Sequence, residues 1–406
     1  MLNTSRHTTP SLPQGLWERR QLIGFLAAFF LAGSAFGMAA LALPFYAISM
    51  HAKTWIVGAV QTALMLGLLV TILPAGFMVE RFGWRRLFIF SSIAMGALVA
   101  TIPLLPKPIY LLPVVLLMGA FGSFNSAAVN TAFFNQLKKM GCKQAGWGKG
   151  AWTIGLSLVG PLVTGFVMRS FGLPAVFNVI AAVWFTQGFA ACFLTADRLF
   201  GAKREATRNT DLLQIKQLVT NRPLMGAAAL EGICTGTIST FSTFVTLLII
   251  RKLDLGVGAA AFVISIQGAG YASVLFIGAK RFCRLTHLQM RIIGFGGAGA
   301  AFAVFATAPD VIWVAAAALL LGPALGLLSL TNIAPLVKSD TARGPKIGIF
   351  GLGRHTFAFA GIFVAVVASR VGGVTTVFWG FLVLFLALAL IVSTATHAPK
   401  MARRLS

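Results

Sequence analysis

Apolar residues in this chain come in blocks of about twenty or more, separated by short clusters of polar and basic residues. A helix rises about 1.5 Å per residue, so about 20 apolar residues cross the roughly 30 Å hydrocarbon core of a bilayer. On that ruler the blocks fall at 22–48, 54–78, 87–105, 109–135, 149–169, 174–195, 223–250, 259–279, 289–308, 311–336, 346–369 and 374–396. The pattern predicts an all-α membrane protein with twelve spanning helices. The longest polar stretch, 196–222, divides the chain into spans at 22–195 and at 223–396, with an arm at 1–21 and a tail at 397–406. The later part of that linker, from Leu212 to Val219, reads as a short surface helix. Asn221-Arg222-Pro223 then opens span seven, where proline suits the first turn.

Composition sharpens this picture. The 406 residues are 58% hydrophobic and only 10% charged, with a mean hydropathy of +0.87, whereas a soluble domain carries about 25% charged residues. The net charge of +24 would suit nucleic acid, but the basic residues sit in short loops between apolar spans, so no nucleic-acid partner is expected. Of 33 Lys and Arg, 27 fall on one side of the twelve-span ladder and 6 on the other. The positive-inside rule then places both termini in the cytoplasm, and contact with anionic membrane lipids follows as a secondary effect. The first apolar run continues to about Ile48, too long for a signal-peptide core of about 7–15 residues, so it is read as a membrane helix. Cys142, Cys192, Cys234 and Cys283 are scattered, which gives neither a disulfide framework nor a metal site.

Between spans two and three lies Gly76-Phe77-Met78-Val79-Glu80-Arg81-Phe82-Gly83-Trp84-Arg85-Arg86. Gly76 and Gly83 permit a tight turn, and Arg81, Arg85 and Arg86 fix its side of the membrane. This stretch resembles the loop between helices two and three of the major facilitator superfamily, with Glu80 in place of the usual Asp and Trp84 where an Arg is common. Other stretches add to the resemblance. Ala42-Leu43-Pro44 ends span one, and Gly155 through Gly160-Pro161 to Gly165 is similar to the span-five Gly-Pro motif seen especially in exporters. Pro161 lacks an N–H and is expected to kink its helix. The halves echo each other: Gly119 and Asn130 in span four match Gly322 and Asn332 in span ten, and Trp147-Gly148-Lys149 matches Leu352-Gly353-Arg354. The resemblance covers about 20–396 and implies two pseudo-symmetric six-helix bundles. It also implies that Glu80 meets the N-terminal end of span eleven when the inner gate is shut, a position where a carboxylate is favourable.

Ionisable residues inside spans are functional candidates. Glu231 is the only acid inside a span, about 12 Å deep at 1.5 Å per residue. Thr235, Ser239, Ser242 and Thr246 follow on its face and are expected to line a polar cavity. Burial penalises a charged carboxyl, so Glu231 is the candidate proton carrier, with a helix-to-helix hydrogen bond as the structural alternative. Arg354 lies mid-span in span eleven, where an arginine costs about 2.5–3.5 kcal/mol on insertion scales unless paired or hydrated. It is expected to meet Glu231, a substrate, or both in alternation, or else to snorkel. His355, one residue on, points about 100° away. Lys149 opens span five as a cavity-floor charge or a snorkelling one. Asn125, Asn130, Asn332, Gln61, Gln267 and Tyr271 are candidate cavity hydrogen-bonders, and each is equally suited to tying helices together.

Gly294-Phe295-Gly296-Gly297-Ala298-Gly299 fits a dinucleotide fingerprint, but it lies inside an apolar span with no preceding strand, so close helix packing is the reading. No phosphate-binding loop, metalloprotease or serine-hydrolase motif occurs, so no cofactor and no enzymatic activity are expected. The resemblance implies a monomeric secondary transporter in a bacterial cytoplasmic membrane, moving a small organic solute by alternating access. The Gly-Pro motif tilts this toward proton-coupled export. An importer or facilitator on the same fold is the second reading, and a membrane sensor that transports nothing is a remote third. Embedded cations outnumber Glu231, which points to an anionic or zwitterionic metabolite or siderophore.

Overall fold

The computed structural model describes residues 14–140, 145–191, 220–281, 285–337 and 343–402. The arm at 1–13, the linker at 192–219 with its expected surface helix, Cys142, Cys192, Cys283 and the last four residues lie outside the described residues. The helices are α1 (Gln14–Ser49), α2 (Thr54–Phe82), α3 (Trp84–Thr101), α4 (Leu111–Met140), α5 (Ala145–Ile154), α6 (Gly160–Phe171), α7 (Leu173–Ala190), α8 (Arg222–Leu247), α9 (Val257–Arg281), α10 (His287–Thr307), α11 (Val311–Val337) and α12 (Arg343–Ala402). No strand occurs among the described residues.

Eleven apolar helical stretches among the described residues are long enough to cross a membrane, against twelve expected. The last of them, Gly348–Val392, has 45 residues, about 67 Å of helix and twice the bilayer core. Gly373 breaks it, with φ 74° and ψ −161°, a region that favours glycine. Before Gly373, α12 keeps step with α8: the Arg354 backbone abuts Gly232, Ala358 abuts Gly236, and Val366 and Phe244 share the space beside Gly58. After it, α12 runs against α10, with Phe378 facing Phe305 and Phe385 facing Phe295. The single crossing of α9 separates α8 from α10, so these two point the same way. The chain therefore reverses at Gly373, and α12 contains two crossings.

α5 and α6 form one crossing, joined by a π-turn at Gly155–Val159 directly before Gly160-Pro161. Pro161 cannot donate to the preceding turn, and the helix passes through this π-turn just before it. The turn packs without spacing side chains. A Cβ on Gly33, Gly37, Gly155 or Gly160 would run into the backbone of the facing helix, α1 against the α5–α6 crossing. Glycines also mark the echo between halves. Gly119 of α4 lies on the Leu64 carbonyl of α2, and Gly322 of α11 lies on the Gln267 carbonyl of α9, so span four rests on span two as span ten rests on span eight.

Two contacts tie the halves together at the end remote from the Gly76–Arg86 loop. Arg251, in a π-turn that continues α8, donates from Nη1 to Thr54 Oγ1 and from Nη2 to the Ala52 carbonyl, both at 2.7 Å. Arg370 lies 4.4 Å from the Trp55 ring centroid, within cation–π range. At the loop itself, Gly83 has φ 83° and closes α2 through its N–H to the Val79 carbonyl, then opens α3. Trp84 is buried against Phe25 and anchors the turn.

Candidate functional site

Glu231 lies on α8 with most of its side chain buried. The sequence offers Arg354 as its ion partner. The structure instead brings Lys149 of α5 to it, with Nζ 2.6 Å from Glu231 Oε1. The pair joins the N-terminal half of the chain to the C-terminal half. Lys149 keeps 27% of its side-chain surface accessible and Glu231 keeps 7%, so the lysine is the more accessible partner. The other carboxylate oxygen, Oε2, accepts Ser329 Oγ at 3.1 Å and Asn332 Nδ2 at 3.3 Å, both from α11. Ser329 is in turn 2.7 Å from the Tyr271 hydroxyl of α9. Helices α5 and α11 thus meet α8 at one carboxylate, with α9 one hydrogen bond further out, and both carboxylate oxygens are engaged, as a buried charge requires.

Arg354 stands apart from that pair. Its backbone abuts Gly232, one residue beyond Glu231, so the guanidinium is near the carboxylate without bonding to it. Its Nη2 is 2.9 Å from His355 Nε2. The two residues are neighbours in sequence and leave the helix about 100° apart, and the long guanidinium still reaches the imidazole. Arg354 Nε and His355 Nδ1 are buried and have no hydrogen-bond partner among the described residues, and neither does either amide atom of Gln267.

The remaining candidates are dispersed. Asn332 and Tyr271 belong to the cluster just described. Asn125 donates to Ser92 across α4 and α3 at 2.9 Å, and Asn130 bonds to Ser126 of its own helix. Gln61 is buried on α2. The hydroxyls below Glu231 turn inward on α8: Thr235 donates to the Glu231 carbonyl, Ser242 to that of Ser239, and Thr246 to that of Ser242. Gly165 faces Ala261 of α9, with no room for a Cβ. Glu80 is exposed and makes no bond to a described residue, Gly76 faces open space, and Arg81 lies over the Phe82 ring. Sequence reasoning missed Ser329, three residues before Asn332 and on the same face of α11. An apolar cleft of about 400 Å³ between α1, Trp147 and Phe276 holds none of these polar groups. Among the described residues, no three His, Cys, Asp or Glu side chains gather as a metal site.

The family model described as Major Facilitator Superfamily matches residues 25–353. The chain belongs to that superfamily. Its fold is similar to crystal structures of nucleoside transporter NupG. A mutant form aligns with TM-score 0.69 at 15% identity, over 93% of this chain and 99% of the other. The unmutated form aligns with TM-score 0.69 at 14% identity, over 92% and 98%. Among curated relatives, the multidrug resistance protein MdtG of Escherichia coli strain UMN026 is 24% identical over 263 residues, 61% of each chain, and MdtG of strain K12 / DH10B gives the same identity and extent. The chain thus matches 61% of the length of these relatives. It is an integral multi-pass membrane protein of that superfamily.

Proposed function

We propose that this superfamily member is a proton-coupled exporter of a small organic solute, with residues 22–195 and 223–396 as the two bodies that rock against each other. The observation that carries this reading is the Lys149–Glu231 pair, which ties one half to the other at 2.6 Å. Removing one partner of a buried pair is costly, because the other charge is left without compensation. The halves part at this point only when something else satisfies the charges. A proton on Glu231 neutralises it while Ser329 and Asn332 still hold the carboxyl, and it releases Lys149. Return of the proton to water restores the pair. Each crossing of the cycle is thereby linked to one protonation change at Glu231.

Export is favoured over import by the span-five glycine-proline turn and by the likeness to a multidrug resistance protein. The clasp made by Arg251 and Arg370 closes the far end while Glu80 stays disengaged at the basic end. In a chain whose basic end faces the cytoplasm, that arrangement loads solute from inside the cell.

The test is purified protein in proteoliposomes, given a small-molecule extract of cells on the basic-end side and an imposed pH gradient of either sign. Mass spectrometry reads what crosses. The exporter reading expects solute to move against an inward proton gradient, with protein-free vesicles as the control. Solute that accumulates with the proton instead identifies an importer, and no protein-dependent movement in any gradient rejects transport altogether.

A further inference from the structure

We propose that the paired side chains of Arg354 and His355 are the receptor for the negatively charged head of the solute, an organic monocarboxylate. This deepens the transport reading above and rests on it for the word solute. Arginine carries five N–H donors and no acceptor, so in the 2.9 Å contact Arg354 Nη2 donates and His355 Nε2 accepts. The imidazole with an accepting Nε2 is the neutral form, and its proton sits on Nδ1. That Nδ1–H is buried without an acceptor among the described residues, and so is Arg354 Nε–H. Buried donors in native proteins are almost always satisfied, and leaving one unmade costs about 1–3 kcal/mol. Two orphan donors on adjacent residues therefore mark a place where acceptor oxygens belong.

Charge points the same way. Glu231 is already saturated by Lys149, Ser329 and Asn332. Its one negative charge is matched by Lys149, which leaves the Arg354 guanidinium beside it without an ion partner among the described residues. A single negative charge balances the cluster. A cation would add to the excess, and a neutral amide would satisfy donors without neutralising the guanidinium. Planar carboxylates suit guanidinium donors and form bonds roughly twice as strong as neutral ones. Gln267, whose amide has neither a donor nor an acceptor partner, is one helical turn before Tyr271 on α9 and can bond polar atoms elsewhere on the solute.

The test uses thermal unfolding of the full chain in detergent with pyruvate, benzoate and octanoate, beside benzamide, octanamide and benzylamine, at fixed ionic strength. At least one carboxylate is expected to raise the midpoint in a saturable way while its amide and the amine do not. Arg354→Gln is expected to weaken that carboxylate at least tenfold, and His355→Phe to weaken it by a smaller factor. His355→Phe keeps the test alive should Arg354→Gln fail to fold. Equal stabilisation by amide or amine, an unchanged carboxylate response in both variants, a full response to chloride or phosphate alone, or no response to any carboxylate overturns the proposal. Carboxylate binding in a protein that moves nothing in vesicles would sink the transport reading and leave this one standing. Protein-dependent flux restricted to neutral or cationic solutes would do the reverse.

Discussion

Lys149 and Glu231 are 82 residues apart in the chain and meet at 2.6 Å across the boundary between its two halves. Glu231 is anchored from behind by Ser329 and Asn332, so the lysine is the one partner that belongs to the other half. Either single substitution, Glu231→Gln or Lys149→Gln, leaves a charge unmatched. Each is expected to lower stability, by no more than about 3–5 kcal/mol given that Lys149 is partly accessible. The double variant is expected to recover most of that loss. A double-mutant cycle from thermal or denaturant unfolding in detergent checks it, and purely additive losses would mean that the contact contributes no coupling.

Removing the clasp at the far end is expected to shift the balance between closed and open forms. Arg251→Ala deletes two hydrogen bonds from a charged but exposed donor, together worth about 1 kcal/mol once solvent competition is counted. Spin labels placed in the 51–54 turn and beyond Lys252 are expected to show a longer distance population in the variant. An unchanged distance distribution would assign the clasp no part in closure.

The loop motif makes a separate prediction. Glu80 is exposed and bonds to no described residue in this structure. Glu80→Gln is therefore expected to insert normally and to unfold within about 0.5 kcal/mol of the unaltered chain, as surface changes do, yet to lose transport. Normal transport rates in the variant would show that this carboxylate has no gating contact in another state.

The glycines can be tested in pairs. A Cβ at Gly160 collides with the backbone at Gly37, whereas one at Gly296 meets nothing within 4 Å. Gly160→Ala is expected to lower the unfolding temperature clearly. Gly296→Ala is expected to be neutral or to stabilise by up to about 1 kcal/mol, the helix preference of alanine over glycine. Equal effects would mean that the close approach of α1 to the Gly155–Gly160 turn is not what holds that face together.

The number of crossings was legible to within about one, eleven apolar stretches against twelve expected, because the bilayer imposes a length on every apolar run. Even the reversal that separates spans eleven and twelve falls near the expected place, at a glycine with positive φ. Polar partners were less legible. Glu231 stood out as a lone embedded acid, but the sequence held two embedded cations that could meet it. Choosing between Lys149 and Arg354 needs the rotation of α5 about its own axis, and the π-turn at Gly155–Val159 alters that rotation. A bulge of one residue turns everything on its far side by about 100°, and no hydrophobic period announces it. The hydroxyl stripe on α8 shows a second limit. Shared spacing places side chains on one face, but Thr235 and Thr246 spend their protons on their own helix, an option open to every serine and threonine in a span.

Glu231 is proposed to carry the proton whose arrival frees Lys149. The most direct measurement is the ratio of pH-driven flux to simple exchange, in vesicles holding either the unaltered chain or Glu231→Gln, with the solute identified by mass spectrometry. Glutamine keeps the shape but cannot titrate, so driven flux is expected to fall to the protein-free background while exchange of labelled for unlabelled solute continues. Driven flux that persists at its normal rate in Glu231→Gln would contradict the account.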